Sequence, residues 1–166
     1  ASRREVPARH TASDARRSRP PATRRRAAKR GQSMSHPFET ELDVRFRDLD
    51  AFGHVNNAVY ATYCETARAR FLREAVGETF AEPNQVVAHL ELDFEAPLAH
   101  ADADRVRVGV CVREVGGSSV RLGYELRDGD RTVATAETVQ VLVDPETGAP
   151  RPVPDEWRDA LAGYRC

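Results

Sequence analysis

The stretch RDLDAFGHVNNAVYATYCETARAR, residues Arg47 to Arg70, decides how the rest of the chain is read. It opens with two acids, Asp48 and Asp50, passes Gly53 and His54 in a turn, and reaches Asn56 and Asn57, after which no glycine or proline occurs until Gly77. The side-chain oxygen of Asn56 or Asn57 can accept from the first N–H groups of a helix, which have no intrahelical partner, so either is a good N-cap. The spacing predicts a helix from there to about Val76, with Gly77 just past its end. About 19 residues at 1.5 Å each make a rod of roughly 28 Å. Its orphan N–H groups and its dipole favour negative charge at the N-terminus, so acid, imidazole and a potential oxyanion site stand close together.

The rod carries two apolar stripes, Tyr60, Cys64, Ala67, Phe71, Ala75 and Ala61, Ala69, Leu72, Val76, built largely from spacings of three and four. A helix apolar over so much of its circumference must be largely covered, and strands on both sides of it can do this. Before it, Leu42, Val44 and Phe46 alternate with Asp43, Arg45 and Arg47, the period of a half-buried strand that delivers the chain to Asp48. After it, Val86, Ala88, Leu90, Leu92 and Phe94 alternate with His89, Glu91, Asp93 and Glu95, and Val106, Val108, Val110 and Val112 alternate with Arg105, Arg107 and Arg113. Gly116 and Gly117 make a turn, Val120, Leu122, Tyr124 and Leu126 continue the alternation, and Asp128–Gly129 signals a hairpin before a strand over 133–143. Pro145, Pro150, Pro152 and Pro154 end the sheet ahead of a short helix over 157–162. The expected architecture is α+β: one long helix packed on a curved antiparallel sheet of about five strands.

The 166 residues divide sharply by charge. Residues 1–33 hold 11 of the chain's 25 Lys and Arg but only 2 of its 26 Asp and Glu, a net of +9, which leaves 14 and 24, a net of −10, for residues 34–166. The first segment has one aliphatic residue larger than alanine apart from its prolines, so it cannot bury enough surface to offset its ordering entropy and reads as a disordered basic leader. A transit peptide, a nucleic-acid-binding arm and an extended start ahead of a domain beginning at Met34 all fit that composition. The acidic domain opposes phosphate binding, which argues against nucleic acid as its partner. No apolar run approaches the ~20 residues that span a bilayer and no signal-peptide segment is present, so the reading is a cytoplasmic protein without membrane contact. Cys64, Cys111 and Cys166 show neither metal-ligand spacing nor a disulfide framework and are read as ordinary thiols.

With these elements in place, the segment RDLDAFGHVNNAVYATYCETAR resembles the hot-dog-fold acyl thioesterases of the 4-hydroxybenzoyl-CoA thioesterase type. LDFEAPL, GGSSVRLGYEL and VDPETGAPRPVPDEW extend the resemblance over nearly all of residues 40–158. It implies hydrolysis of an acyl-CoA to free acid and CoA without a cofactor, with Asp50 as nucleophile or general base and the Asn57 backbone N–H as oxyanion donor. In the related plant acyl-carrier-protein thioesterases, a histidine four residues past the acid matches His54, whereas Phe52 stands where that branch has asparagine. The resemblance also implies pairing of two subunits, and so a homodimer or homotetramer with each active site between chains.

The bare residues allow plainer readings beside these. Two acids in a turn commonly cap it, and Asp48 is read as an orienting group. His54 is either a general base, a donor to the substrate carbonyl or a turn residue facing Asp50. Asn56, Asn57, Tyr60 and Glu65 complete the candidate oxyanion and substrate-binding set, although Glu65 lies about 12 Å along the rod from Asn57 and has Arg68 as an alternative ion-pair partner. Arg105, Arg107, Arg113 and Arg121 are candidates for the CoA phosphates or simply a solvated strand face. No serine elbow, phosphate-cradling glycine loop or metal motif is present. A non-catalytic acyl-CoA-binding or regulatory module, or an acyl-ACP thioesterase, is the alternative function. The composition step at Met34 generates a first prediction: a chain starting there retains the melting temperature and turnover of the full chain, and a large loss of either would show that the leader packs or binds.

Overall fold

In a computed structural model describing residues 36–77, 85–99 and 104–166, the chain runs as β1 (Phe38–Asp43), α1 (Asn57–Val76), β2 (Gln85–Phe94), β3 (Arg105–Val115), β4 (Ser119–Asp128), β5 (Arg131–Leu142) and α2 (Asp155–Ala162). The leader expected over residues 1–33 lies outside the described residues. The five strands form one antiparallel sheet in the order β1-β3-β4-β5-β2. Strands β3 to β5 are the expected meander, its second turn closed by Gly129 at φ 56, a left-handed conformation that glycine adopts without penalty. α1 packs across β3 and β1 and buries Tyr60, Tyr63, Cys64, Ala67, Phe71 and Leu72. They meet the inward valines of β3 and Val120, Leu122, Tyr124 and Leu126 of β4. Phe71 sits at the centre of this core, its ring 5.5 Å from that of Phe38 and 5.2 Å from that of Tyr164. Burying a side chain of this size contributes about 1.5–3 kcal/mol. Ala61, Ala69 and Val76, on the second stripe, are only half-buried, because the single sheet covers one side of the rod.

Two strand expectations need correction. Phe46 does not continue β1: the chain leaves the sheet after Val44 and makes a single 3-10 turn over Phe46–Asp48, leaving Phe46 85% exposed. The Asp48 carboxylate accepts the Arg45 N–H at 2.9 Å, which bends the chain where the alternation pattern would have extended it. In β2 the register with β5 shifts between Val87 and His89, so Ala88 is a bulge. One extra residue reverses the alternation. Val86, opposite Val141, therefore lies on the outer face, whereas Val87, Leu90, Leu92 and Phe94 share the helix side.

The outer face of the sheet is polar and internally paired. Arg105 and Arg107 reach Glu41, Arg113 and Arg121 reach Glu137, and Arg121 also reaches Glu114. These four arginines stand on the face opposite α1, engaged by carboxylates. The cysteine reading is also corrected. Cys111 and Cys166 form a disulfide with Cα atoms 5.0 Å apart, while Cys64 remains a buried free thiol. The pair is brought together by residues 164–166 lying along β3, where Val112 N–H donates to Tyr164 O at 2.7 Å and Cys166 N–H to Val112 O at 3.2 Å. No local spacing could announce it, since 55 residues separate the two sulfurs. Closing a loop of that size is worth about 4 kcal/mol at most in the chain-entropy account. Cys166→Ser should lower the melting temperature by roughly 5–15 °C in calorimetry without reductant. An unchanged value would mean that the bond does not form in solution.

Candidate active site

The loop between β1 and α1 is a small hairpin that places its groups by backbone hydrogen bonds. Leu49 and Val55 bridge at its base, Asp50 N–H donates to His54 O at 2.7 Å, and Gly53 N–H donates to Asp50 O at 3.1 Å. Gly53 has φ 77, so a side chain there would be strained although space is open around it. The Asp50 carboxylate folds back over this turn. Its Oδ1 accepts Phe52 N–H at 2.8 Å and His54 N–H at 3.1 Å, while Oδ2 accepts from no group among the described residues.

α1 begins where the hairpin ends. Asn56 is its N-cap, accepting Ala58 N–H on Oδ1 at 2.9 Å and Val59 N–H on its carbonyl at 2.9 Å. Its own N–H donates to Asp48 O at 2.8 Å. The N–H of Asn57, first residue of the helix, donates to nothing among the described residues. It is an unused donor on the positive end of the helix dipole, the arrangement required of an oxyanion donor.

Asp50, His54, Asn57 and Tyr60 line one cavity of about 320 Å³, together with Val55 and with Phe94, Glu95, Ala96 and Pro97 from the end of β2. Four of the six expected site residues thus meet. Tyr60 is buried, its ring edge-on to Phe94 at 5.1 Å, and burial raises its phenol pKa above the usual value. Asn56 stands outside the cavity lining as the cap. Glu65 is exposed, lines none of this cavity and forms no ion pair with Arg68 among the described residues. Arg68 instead faces Tyr124 and Cys64. Burial pushes the Cys64 thiol up to about 12, so it carries no thiolate at neutral pH.

The two acids separate by environment. Asp48 Oδ2 accepts both Arg45 N–H and, at 3.1 Å, the hydroxyl of Tyr63, which makes it an anchor between the loop and the helix. Phe94, Glu95 and Pro97 were not singled out as site residues by the sequence, because only the fold brings the β2 end to the helix start. Among the described residues no group of three His, Cys, Asp or Glu is placed to hold a metal ion.

The five-strand antiparallel sheet with its packed helix is the hot-dog arrangement, and residues 44–161 match the thioesterase-like superfamily. The chain belongs to this superfamily. That assignment is wider than the 4-hydroxybenzoyl-CoA type that the motif resembles. A thioesterase from Thermus thermophilus, crystallised with coenzyme A and Zn, superposes with a TM-score of 0.70 at 35% identity, covering 78% of this chain and 95% of that one. The 1,4-dihydroxy-2-naphthoyl-CoA hydrolase of Synechococcus elongatus is 27% identical over 75% of this chain and 94% of its own length. Acyl-acyl carrier protein thioesterase ATL3 of Arabidopsis thaliana is 37% identical over 58% of this chain; the match spans 51%, about half, of that relative.

Burial also ties stability to pH. The phenols of Tyr60, Tyr63 and Tyr124 are all raised, desolvation being the largest cause in each, with Tyr124 reaching about 12. A group whose folded pKa lies above its unfolded value of about 10 contributes its stability fully below that value and loses it as pH rises further. The melting temperature should therefore fall on moving from pH 9 to pH 11.5. A flat profile would show that these hydroxyls are solvated.

Proposed function

We propose that the protein is an acyl-CoA thioesterase, hydrolysing the thioester to free acid and CoA. The observation that carries this reading is the meeting, in one cavity, of the Asp50 carboxylate, the His54 imidazole and an Asn57 N–H that has no partner among the described residues. With the thioester oxygen on the Asn57 N–H, Asp50 acts either as the nucleophile on the carbonyl carbon or as the base that takes the proton of the attacking water. In either route a carbon–oxygen bond forms, the carbon–sulfur bond breaks and CoA leaves as a thiolate; on the nucleophilic route the acyl group is left on Asp50 as a mixed anhydride, which water then hydrolyses to the free acid and the carboxylate. Because a thiol has a pKa of about 8.5, departure requires no strong general acid. A carboxylate and a preorganised donor therefore suffice. His54 lines the same cavity and is assigned to the substrate carbonyl or the water. The paired-acid loop supports the 4-hydroxybenzoyl-CoA type within the superfamily. The plant relative supports acyl-ACP as a second carrier. Asp50→Asn should leave the circular dichroism spectrum intact and lower kcat by at least ~100-fold in a thiol-release assay over a panel of acyl-CoAs. Native turnover in that variant would leave a non-catalytic acyl-CoA-binding module as the better reading.

Assembly belongs to the same reading. The β1 edge is blunted: Arg70 donates to Glu41 O at 2.9 Å and to Thr40 Oγ1 at 2.8 Å, and Glu39, Glu41 and Asp43 line the strand. The β2 edge is open and apolar, with Val86, Val87, Leu90 and Phe94 each 42–50% exposed. An open apolar edge strand invites pairing with another chain. The proposed unit is a homodimer joined through β2, or a tetramer built from it, with activity lost on dilution below its dissociation constant. A monomer with full turnover in light scattering would overturn this.

A further inference from the structure

We propose that the two β2 strands pair in one register only, centred on Leu90, selected by His89 and Glu91; this rests on the homodimer just proposed. A two-fold axis perpendicular to the sheet keeps both helices on one side and sets residue i of one strand opposite residue j of the other with i + j constant. Directly opposite residues of an antiparallel pair project to the same face. Beyond the Ala88 bulge, His89, Glu91 and Asp93 lie on the outer face and Leu90, Leu92 and Phe94 on the helix face. Only whole-residue centres therefore match face to face.

Charge separates these centres. Centred on Leu90, the junction sets His89 opposite Glu91 of the partner subunit twice over, and Leu90 opposite Leu90 of the partner subunit at the axis. Within one chain His89 Nε2 already lies 3.6 Å from Glu91 Oε2, both groups exposed, so the junction closes a ring of two imidazoles and two carboxylates. Centred on Glu91, it would set His89 opposite Asp93 of the partner subunit twice but would oppose two glutamates at the axis, a repulsion that the Leu90 centre lacks. A centre at Leu92 would oppose Glu91 to the partner's Asp93 twice. One at His89 would oppose two histidines and leave Glu91 facing an apolar residue. Like charges directly opposite destabilise a sheet pair and opposite ones support it.

The chosen register also bears on the cavity. With the Ala88 bulge counted, Leu92 falls opposite Val87 of the partner subunit on the helix face, and Phe94, which forms the cavity wall, stands diagonal to the partner's Val87.

The test uses the full chain. Sedimentation of the wild type gives the dimer dissociation constant. His89→Glu, which sets two glutamate pairs across the junction, raises it at least ~10-fold. Adding Glu91→His to that variant returns it to near the wild-type value, because the swapped groups again oppose each other. In the Glu91-centred register the same double change would bring two histidines to the axis and a glutamate against Asp93, and would rescue nothing. Independently, Leu90→Cys forms a covalent dimer under mild oxidation on a non-reducing gel, since directly opposite Cβ atoms lie about 4.5–5.5 Å apart, close to disulfide reach. Leu92→Cys does not. Cross-linking through Leu92 in place of Leu90, or a double variant as weak as the single one, overturns the register and leaves the dimer standing. A wild-type monomer overturns both, and the acyl-CoA assay reads the hydrolase assignment separately.

Discussion

Asn56 holds the point from which the chemistry is hung. Its N–H is tied to Asp48 O, its side chain to Ala58 N–H and its carbonyl to Val59 N–H, so the next amide, that of Asn57, is left without a partner among the described residues at the first position of α1. Moving the helix start by one residue would break these bonds together and present a different N–H to the cavity. The preceding residue is tied as firmly, because Val55 N–H donates to Leu98 O at 2.8 Å and so fixes the hairpin to the segment after β2. A cap of this kind is worth about 1 kcal/mol in stability. Its larger contribution is positional, since Asp50 and Asn57 stand at fixed places relative to one another without either being buried.

Local patterns made most of this legible from the sequence. Asp50, His54, Asn57 and Tyr60 lie within eleven consecutive positions, and a turn followed by a capped helix has little freedom to separate them. Where the reading failed, the deciding group left no mark in the alternation of apolar and polar residues. Phe46 continues an alternation that is cut short because Asp48 captures the Arg45 amide. Val86 and Val87 are both apolar, so the bulge beside them leaves no trace in the pattern. Cys111 and Cys166 are joined by a segment laid along β3 after a second helix. Glu65 is a different case: its spacing alone sets it eight residues up the rod from the Asn57 amide, and within one chain it lines none of the cavity.

The arginines of β3 and β4 illustrate how composition misleads. Four cations in two neighbouring strands suggest a phosphate site, yet each finds a carboxylate on another strand of the same face. Exposed pairs of this kind contribute only about 0–1 kcal/mol apiece. Their consequence is to neutralise the outer face locally, so the acidity of the domain is expressed elsewhere on its surface.

The sheet register that brings the β2 end to the helix start is guarded inside the core by a polar row. Tyr124 Oη lies 3.0 Å from Thr138 Oγ1, which also accepts Gln140 Nε2 at 2.9 Å, and all three residues are buried. Valine or leucine would fill the same space on β4 and β5, but an apolar pair tolerates sliding and a hydrogen-bonded one does not. A slip of β4 against β5 by one residue turns every side chain to the other face. Tyr124 stands opposite Ala136, so a slip by two that sets it opposite Ala134 keeps the faces but parts it from Thr138, at about 1–3 kcal/mol for a buried polar group left unmatched. Since Phe94 pairs with Ala134 on the other side of β5, the same displacement would carry the cavity wall along the sheet. The polar row therefore acts on the site from a distance, by holding β5 where Phe94 and Tyr60 can meet.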